Sequence, residues 1–297
     1  MKNLQELINI HIPVMSTQVL EYLNIQPDGF YIDGTIGAGG HATQILSKLS
    51  IKGKLIGIDR DAEALEICFE RFRASANQIS LHHSSYHNLP KIMEINGLSK
   101  ANGILLDLGL SSLQINSKNR GFSFQSNAQA DMRFDQTRGQ TAEELIRKSS
   151  EKELADIIYQ FGEERKSRRI SNSIKKIKNL STTMDLKEAI RKSTPPHHRN
   201  KTHARVFQAI RIAVNDEIDK LKVFFKIFLD YLEIGGRLVV ISYHSIEDRI
   251  VKHSFRQLYN ESKVELLTRK PLTPSIDEIK LNKRSRSAKM RALERVL

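Results

Sequence analysis

The sequence predicts an α/β fold: an open, doubly wound sheet of mostly parallel strands, interrupted by a helical insertion. Three observations carry that expectation. Short apolar runs, FYID at 30–33, LIGID at 55–59 and GILLDL at 103–108, have the length and composition of buried parallel strands, and each leads into a loop or a helical pattern. A glycine-rich turn, DGTIGAGGH at 33–41, follows the first run without a break. Beyond Gly109 the pattern changes, and from about Gln140 to Thr194 the chain reads as helices with Lys/Arg-rich faces.

The other elements follow in order. Ala62 to Ala74 reads as the helix after the second strand, with Leu65, Cys68, Phe69 and Phe72 at helical spacing on its core face. QISLH at 78–82 supplies a further strand. Thr141 with Glu144 forms a capping box that starts one helix of the insertion, and PPHHRNKTH at 195–203 is a polar breaker. A long helical pattern then runs from Val206 to Leu232 and stops at Gly235-Gly236. GRLVVIS at 236–242 is the next buried strand. A helix from Ser245 to about Tyr259, opened by a Ser245/Asp248 capping box, precedes a late strand at VELL, 264–267. The organisation expected is one α/β domain over 1–112 and 206–297, with an insertion over 113–205. There is no internal repeat.

Composition narrows the partners. The 297 residues include 47 Lys and Arg against 34 Asp and Glu, a net charge of +13 that favours a polyanion, because phosphate contacts release condensed counterions. No apolar run is long enough to span a bilayer, and Glu6 and Asn9 interrupt the apolar stretch at the N-terminus, so neither a membrane span nor a signal peptide is expected. Cys68 is the single cysteine, which excludes an internal disulfide and a multi-cysteine zinc site. These features place the protein in a soluble, reduced compartment, the cytoplasm, and no metal is expected.

The glycine turn admits two readings. Glycines let the backbone turn sharply from strand into helix and let a ligand approach closely. Gly37, Gly39 and Ala42 satisfy the dinucleotide pattern as well, with Asp59 at the end of the next strand at about the ribose-binding distance, so a nicotinamide-dependent oxidoreductase is a rival. Asp33 separates the two. A carboxylate at that strand tip repels a pyrophosphate and suits a cationic or amine-bearing ligand. Nothing further along the chain resembles a hydride-transfer site. Asp59 is read as a ribose ligand in preference to a helix cap.

The fourth strand tip carries the chemistry. GILLDLGLSSLQ at 103–114 sets Asp107, Ser111, Ser112 and Gln114 just beyond a strand end, on the ligand side of such a sheet. Methyl transfer from a sulfonium to an exocyclic amine needs acceptors that hold the N–H groups and expose the nitrogen, so positioning dominates. Asp107 can supply one. Methylation at C5 of a pyrimidine commonly uses a cysteine nucleophile, but Cys68 is expected in the core, away from the strand tips.

Nine blocks in order carry a resemblance to a known family: HIPVM, YIDGTIGAGGH, GIDRD, GILLDLGLSS with Gln114, RGFSF, DMRFDQTRGQTAEEL, FQAIRIAVNDE, GGRLVVISYHSIEDRIVK and RSRSAKMRALERV. Along nearly its whole length the chain resembles the bacterial small-subunit (16S) rRNA cytosine-N4 methyltransferases. The resemblance implies a Rossmann-like class I methyltransferase sheet with a helical insertion that recognises RNA. It implies S-adenosylmethionine as cofactor, and a decoding-centre cytosine of the small ribosomal subunit as target. The cofactor-binding residues it implies are Gly39, Gly40, His41, Asp59, Tyr86, Asp107 and Gln114. The expected catalytic residues are Asp107, Ser111 and His244. Leu113 stands where the family usually has proline, and Tyr86 where phenylalanine is frequent, a change that keeps an aromatic face for adenine. The segment before FQAIRI is shorter than the common form.

Other polar groups have plainer readings. His197, His198 and His203 lack an acidic partner and belong to a basic loop. Phe122 and Phe124 anchor the insertion. Arg284, Arg286, Lys289 and Arg291 form a basic cluster suited to phosphates. From another class, a non-catalytic ribosome assembly factor would share the basic surface without needing the glycine turn, Asp59 and Asp107 together.

Overall fold

The computed structural model describes residues 13–117 and 119–297; His11 and Ile12 of the HIPVM block lie outside them. The chain divides into two compact units, Met1–Gly109 with Asp219–Leu297, and Leu110–Ile218.

The first unit is built on a seven-stranded sheet of order β3-β2-β1-β4-β5-β7-β6. Its strands are β1 (Phe30–Asp33), β2 (Lys54–Asp59), β3 (Ile79–His83), β4 (Ala101–Asp107), β5 (Leu232–Ser242), β6 (Val264–Leu266) and β7 (Lys289–Arg295). The first five pair in parallel, and β7 runs antiparallel to both β5 and β6. Three helices connect the parallel strands in the N-terminal half: α2 (Gly40–Leu46), α3 (Ala62–Arg71) and α4 (Leu89–Ile95). A helix ahead of the sheet, α1 (Ser16–Leu23), buries Val19 and Leu23.

Alternation along the strands divides the apolar residues between two faces. Ile56, Ile58, Ile104, Leu106, Leu238 and Val240 pack on one, with Phe224, Phe228, Val251 and Phe255. Leu55, Leu105, Val239 and Ile241 pack on the other, with Val19, Ala42, Ile45, Cys68 and Phe72. Burial on both faces explains why these strands read as continuous apolar runs. Because the strands are parallel, the C-terminal ends of β1, β2, β4 and β5 share one edge. The chain reverses its direction of winding between β1 and β4, the crevice where ligands bind in such sheets.

The second unit is helical: α5 (Ser112–Asn116), α6 (Ala142–Lys148), α7 (Glu151–Gly162), α8 (Ser167–Lys175), α9 (Thr183–Ser193) and α10 (Arg199–Asn215). Thr141 and Glu144 form the expected capping box, and Ser150/Glu153 and Thr182/Asp185 form two more, each satisfying backbone donors that the first helical turn leaves open. Leu145, Leu154, Ile158, Ile170, Ile190, Val206 and Ile210 make its core, with Phe122 packed among them and Phe124 against it. Phe122 stacks on Phe134 at 5.6 Å, and Phe124 meets the edge of Phe207 at 5.7 Å, which is anchoring of the kind expected.

Several elements differ from the sequence reading. The helical unit ends at Ile218, not at residue 205, because α10 begins at Arg199 and packs along α7. At the crossing, Gly162 lies so close to α10 that a Cβ there would sit 2.7 Å from the Arg205 carbonyl oxygen. The long pattern from Val206 is two helices, since Asp216 takes a left-handed φ of 50° between α10 and α11 (Glu217–Ile227). His203 is not in a solvated loop: it is buried in α10, with Nε2 3.2 Å from the Lys187 carbonyl. In α3 the core face is Ala64, Ile67 and Cys68, while Phe69 is exposed. The strand β7 was hidden in a basic segment. Arg291 there is buried and pairs with Asp248 at 2.7 Å, and Lys289 reaches the same carboxylate at 3.2 Å, so half of the expected basic cluster is neutralised.

Candidate active site at the strand tips

The glycine turn is shaped by one left-handed residue and one acid. Gly39, at the N-cap of α2, has φ +82°, and a Cβ on it would lie 2.7 Å from the Phe72 ring, so only glycine fits. Asp59, at the tip of β2, clasps the turn: Oδ2 accepts from Gly37 N–H at 2.8 Å and Oδ1 from Asp61 N–H at 2.9 Å. The cap of the following helix, α3, is Asp61, which accepts from Glu63 N–H. Asp59 is therefore no helix cap, and its remaining lone pairs stay available to a ligand.

Asp33, Asp59 and Asp107 end three of the central strands. Asp33 is buried, and its Oδ1 accepts from Thr35 N–H at 3.2 Å while Oδ2 has no partner. Burial pushes its pKa up to about 7; the imidazole of His41 and the Thr35 N–H oppose the shift, and the charges of Asp107 and Asp59 add to it. Asp59 is raised to about 6, again first by burial, against the hydrogen bonds from Asp61 and Gly37. His41, in the first turn of α2, is buried with Nε2 unpartnered, 3.6 Å from Asp107 Oδ2 and beyond hydrogen-bond length. Two orphaned polar atoms beside Asp33 and Asp59, two carboxyls that resist ionisation, form a site complementary to a ligand carrying positive charge and hydrogen-bonding groups.

Asp107 is held by the turn and by its own loop. Its N–H donates to Thr35 Oγ1 at 2.7 Å and its Oδ1 accepts weakly from Gly109 N–H at 3.4 Å, while burial first, and then the Asp107 charge, push the pKa of the Tyr243 phenol up. Tyr86, just after β3, is half-buried with its ring edge-on to Phe224 at 5.6 Å. Of the expected cofactor residues, Gly39, Gly40, His41, Asp59, Tyr86 and Asp107 thus all lie at the ligand edge of the sheet unit. Ser111 and Gln114 belong to the helical unit, where they form a capping box: Gln114 N–H donates to Ser111 Oγ at 3.2 Å and Ser111 N–H to Gln114 Oε1 at 3.1 Å.

His244 has a structural task that the sequence reading assigned to Ser245. It is the N-cap of α12 (Ser245–Asn260): its Nδ1 accepts from Glu247 N–H at 3.4 Å, and Glu247 Oε2 accepts from Tyr243 N–H at 3.0 Å. The intended partner Asp248 is instead engaged by Lys289 and Arg291. Cys68 also differs in place. Its Sγ donates to the Gly37 carbonyl at 3.1 Å, directly beneath the glycine turn, but it is fully buried, and burial together with the Asp59 and Asp33 charges pushes its thiol well up. A thiol so held is no nucleophile. Sequence reasoning missed Thr35 and Tyr243. Thr35 was legible inside the glycine motif; Tyr243 precedes His244 and offered no signal apart from its place at a strand end.

The sheet resembles that of a candidate rRNA-methylase of Clostridium thermocellum, with a TM-score of 0.50 at 11% identity over 97% of this chain and all of that one, a likeness of fold. Two proteins called ribosomal RNA small subunit methyltransferase H are much nearer in sequence. That of Caldicellulosiruptor saccharolyticus is 42% identical over 96% of this chain and 99% of its own length. That of Thermosipho africanus is 44% identical over 96% and 98%. The model of the MraW methylase family matches residues 9–296, and with so nearly complete a match the chain belongs to that family, with a Rossmann-like class I methyltransferase fold.

Proposed function

We propose that the protein is an S-adenosylmethionine-dependent methyltransferase that modifies N4 of a decoding-centre cytosine in the 16S rRNA of the small ribosomal subunit, in the cytoplasm. The observation that carries this is the ring of Asp33, Asp59 and Asp107 around the glycine turn, with Asp33 Oδ2 and His41 Nε2 left without partners. S-adenosylmethionine supplies an electrophilic methyl group on a sulfonium, and its ammonium adds a second positive charge. Asp59 receives the ribose hydroxyls, Tyr86 offers its ring to adenine, and the open turn from Gly39 to His41 admits the methionine part; the resemblance to the family also assigns Gln114 to the cofactor. Asp107 accepts an N–H of the cytosine amine and so orients its nitrogen, a positioning role that Ser111 and His244 support. The sheet also speaks against the nicotinamide reading, because the antiparallel β7 between β5 and β6 departs from the dinucleotide order.

Calorimetry should find saturable binding of S-adenosylmethionine and none of NAD. Incubation with small subunits from cells lacking the gene should add one methyl group to a cytosine, read by mass spectrometry. Saturable NAD binding without response to the methionine cofactor would overturn the reading.

The helical unit is the RNA-recognition part of this proposal. Arg165, Lys166, Arg168, Arg169, Lys176 and Lys178 flank or lie on α8 and are exposed, and none has a carboxylate partner among the described residues. Lys175 on the same helix is different, its Nζ donating to the carbonyls of Ile146, Arg147 and Ser149. Arg168→Ala with Arg169→Ala should weaken RNA binding and reduce the slope of log affinity against log salt by about 2, without changing which base is modified. A double variant of parental affinity and slope places the phosphate contacts elsewhere, Arg284 and Arg286 being next to test. Among the described residues no helix is long and apolar enough to cross a membrane.

A further inference from the structure

Two helices on opposite faces of the sheet carry opposite charge. On one face α3 exposes Glu63, Glu66 and Glu70, at spacings that set them along one side of the helix. On the other, α12 buries Ile246, Val251 and Phe255 and exposes Arg249, Lys252, His253 and Arg256, again along one side. Tyr259 follows one turn later, 43% exposed. The acids of α12 do not offset these bases. Glu247 is buried in the first turn, and Asp248 is taken by Lys289 and Arg291. Lys252, His253 and Arg256 have no ion pair or side-chain hydrogen bond among the described residues. The helix also starts in the right place. It follows β5 after Tyr243 and His244, at the edge where Ile241 lies opposite Asp107, and it returns the chain to the other edge, where β6 begins.

We propose that the exposed face of α12 is a track for single-stranded RNA: Arg249, Lys252 and Arg256 bind backbone phosphates of the strand flanking the target nucleotide, and Tyr259 offers its ring to a base at the far end. A base that presents its exocyclic amine at the strand tips has left its duplex, so the strand beside it is unpaired as it leaves the site. From Arg249 to Tyr259 the track is about 15 Å long, at 1.5 Å per residue. Bases in a row with an aromatic ring beside them suit an unpaired strand, because the charges follow its backbone and a ring stacks on any base. Such contacts hold the strand without reading it, and leave the choice of base to the site at the strand tips. The acidic side of α3 repels phosphates, so the strand is steered to one face of the sheet.

The inference rests on the proposed methylation of small-subunit RNA and adds a contact surface on the sheet unit to the bases of α8; the experiment separates it from that function. Lys252→Gln with Arg256→Gln, in the full chain, replaces two exposed bases with good helix formers. The thermal midpoint and the calorimetric Kd for S-adenosylmethionine should stay close to those of the parent. Affinity for small subunits from cells lacking the gene should fall roughly tenfold or more at about 0.1 M salt. The slope of log affinity against log salt should drop by about 1.4, the single-strand value for two phosphates. Glu66→Gln with Glu70→Gln changes the net charge by as much on the other face, and should leave that slope unchanged. A photo-reactive benzophenone residue in place of Tyr259 should cross-link to nucleotides close to the target cytosine, mapped by reverse transcription. A parental slope in the α12 variant, a slope change of equal size in the α3 variant, or cross-links absent or confined to RNA far from the target would each overturn the proposal. A parent protein that methylates no small-subunit RNA would instead overturn the function on which it stands.

Discussion

Asp107→Ala should abolish methylation of the small subunit, lowering the rate by roughly 10³-fold or more, in the range lost when a positioned proton acceptor is removed. The carboxylate stands at the tip of β4 with 16% of its side chain exposed, so its removal leaves no large cavity in the core. Its loss takes away the acceptor for the amine N–H and the negative charge nearest His41. The fold should survive, because β4 is held by β1 and β5 and the Asp107 N–H to Thr35 Oγ1 bond does not depend on the side chain. Asp107→Asn keeps the shape of the side chain and an acceptor oxygen for the Gly109 N–H, and should be almost as inactive while melting near the parent. Circular dichroism and the methylation assay on both variants decide the matter. Near-parental turnover in either one removes Asp107 from the chemistry.

Asp33→Asn should do two opposite things: raise the stability of the ligand-free protein at alkaline pH and greatly weaken its hold on the cofactor. The folded-state pKa of Asp33, about 7, lies above the ordinary 3.8, so the folded protein keeps a proton that the unfolded chain releases. The sign follows directly. Stability is greatest below the unfolded value, declines as pH rises from about 4, and levels off once pH has passed about 7. Fully ionised, this one buried carboxylate costs on the order of 4 kcal/mol, an upper bound set by the size of the shift. The neutral amide carries no such cost, so the variant should melt several degrees above the parent at pH 8 and about equally at pH 4. The same substitution removes the anion that the cationic ligand needs, and affinity for S-adenosylmethionine at pH 8 should fall roughly 100-fold. The demethylated product, which lacks the sulfonium charge, should lose less. Thermal melts across pH, with and without ligand, test both halves. Equal melting at every pH, or parental affinity for the cofactor, would remove Asp33 from the cation site.

The strand tips were legible in advance because they depend on local rules. FYID, LIGID and GILLDL are short and β-branched or leucine-rich, and chain polarity alone puts Asp33, Asp59 and Asp107 at their ends. The Thr141/Glu144 capping box is equally local, since both partners lie within four residues. Misreadings came where two local signals compete. Ser245/Asp248 and His244/Glu247 have the same spacing, and Asp248 is drawn away by Arg291 on a strand more than forty residues later, which leaves the cap to His244. The helical faces of α3 were displaced because Phe69 has the right spacing for a core residue but its side faces solvent.

By itself the sequence determined the sheet type, the glycine turn, the acids at the strand tips, the basic balance and, through nine ordered blocks, the family. Each of these depends on residues adjacent in the chain or on periodicity along one element. Only the tertiary structure decided that KMRALER is the antiparallel strand β7 and that Cys68 lies under Gly37. It alone also decided that the Tyr243 ring packs on Gly109 and that Asp33 is hard to ionise. These properties arise between residues far apart in sequence, where burial removes water and a neighbour's charge sets the free energy, and no local pattern records either.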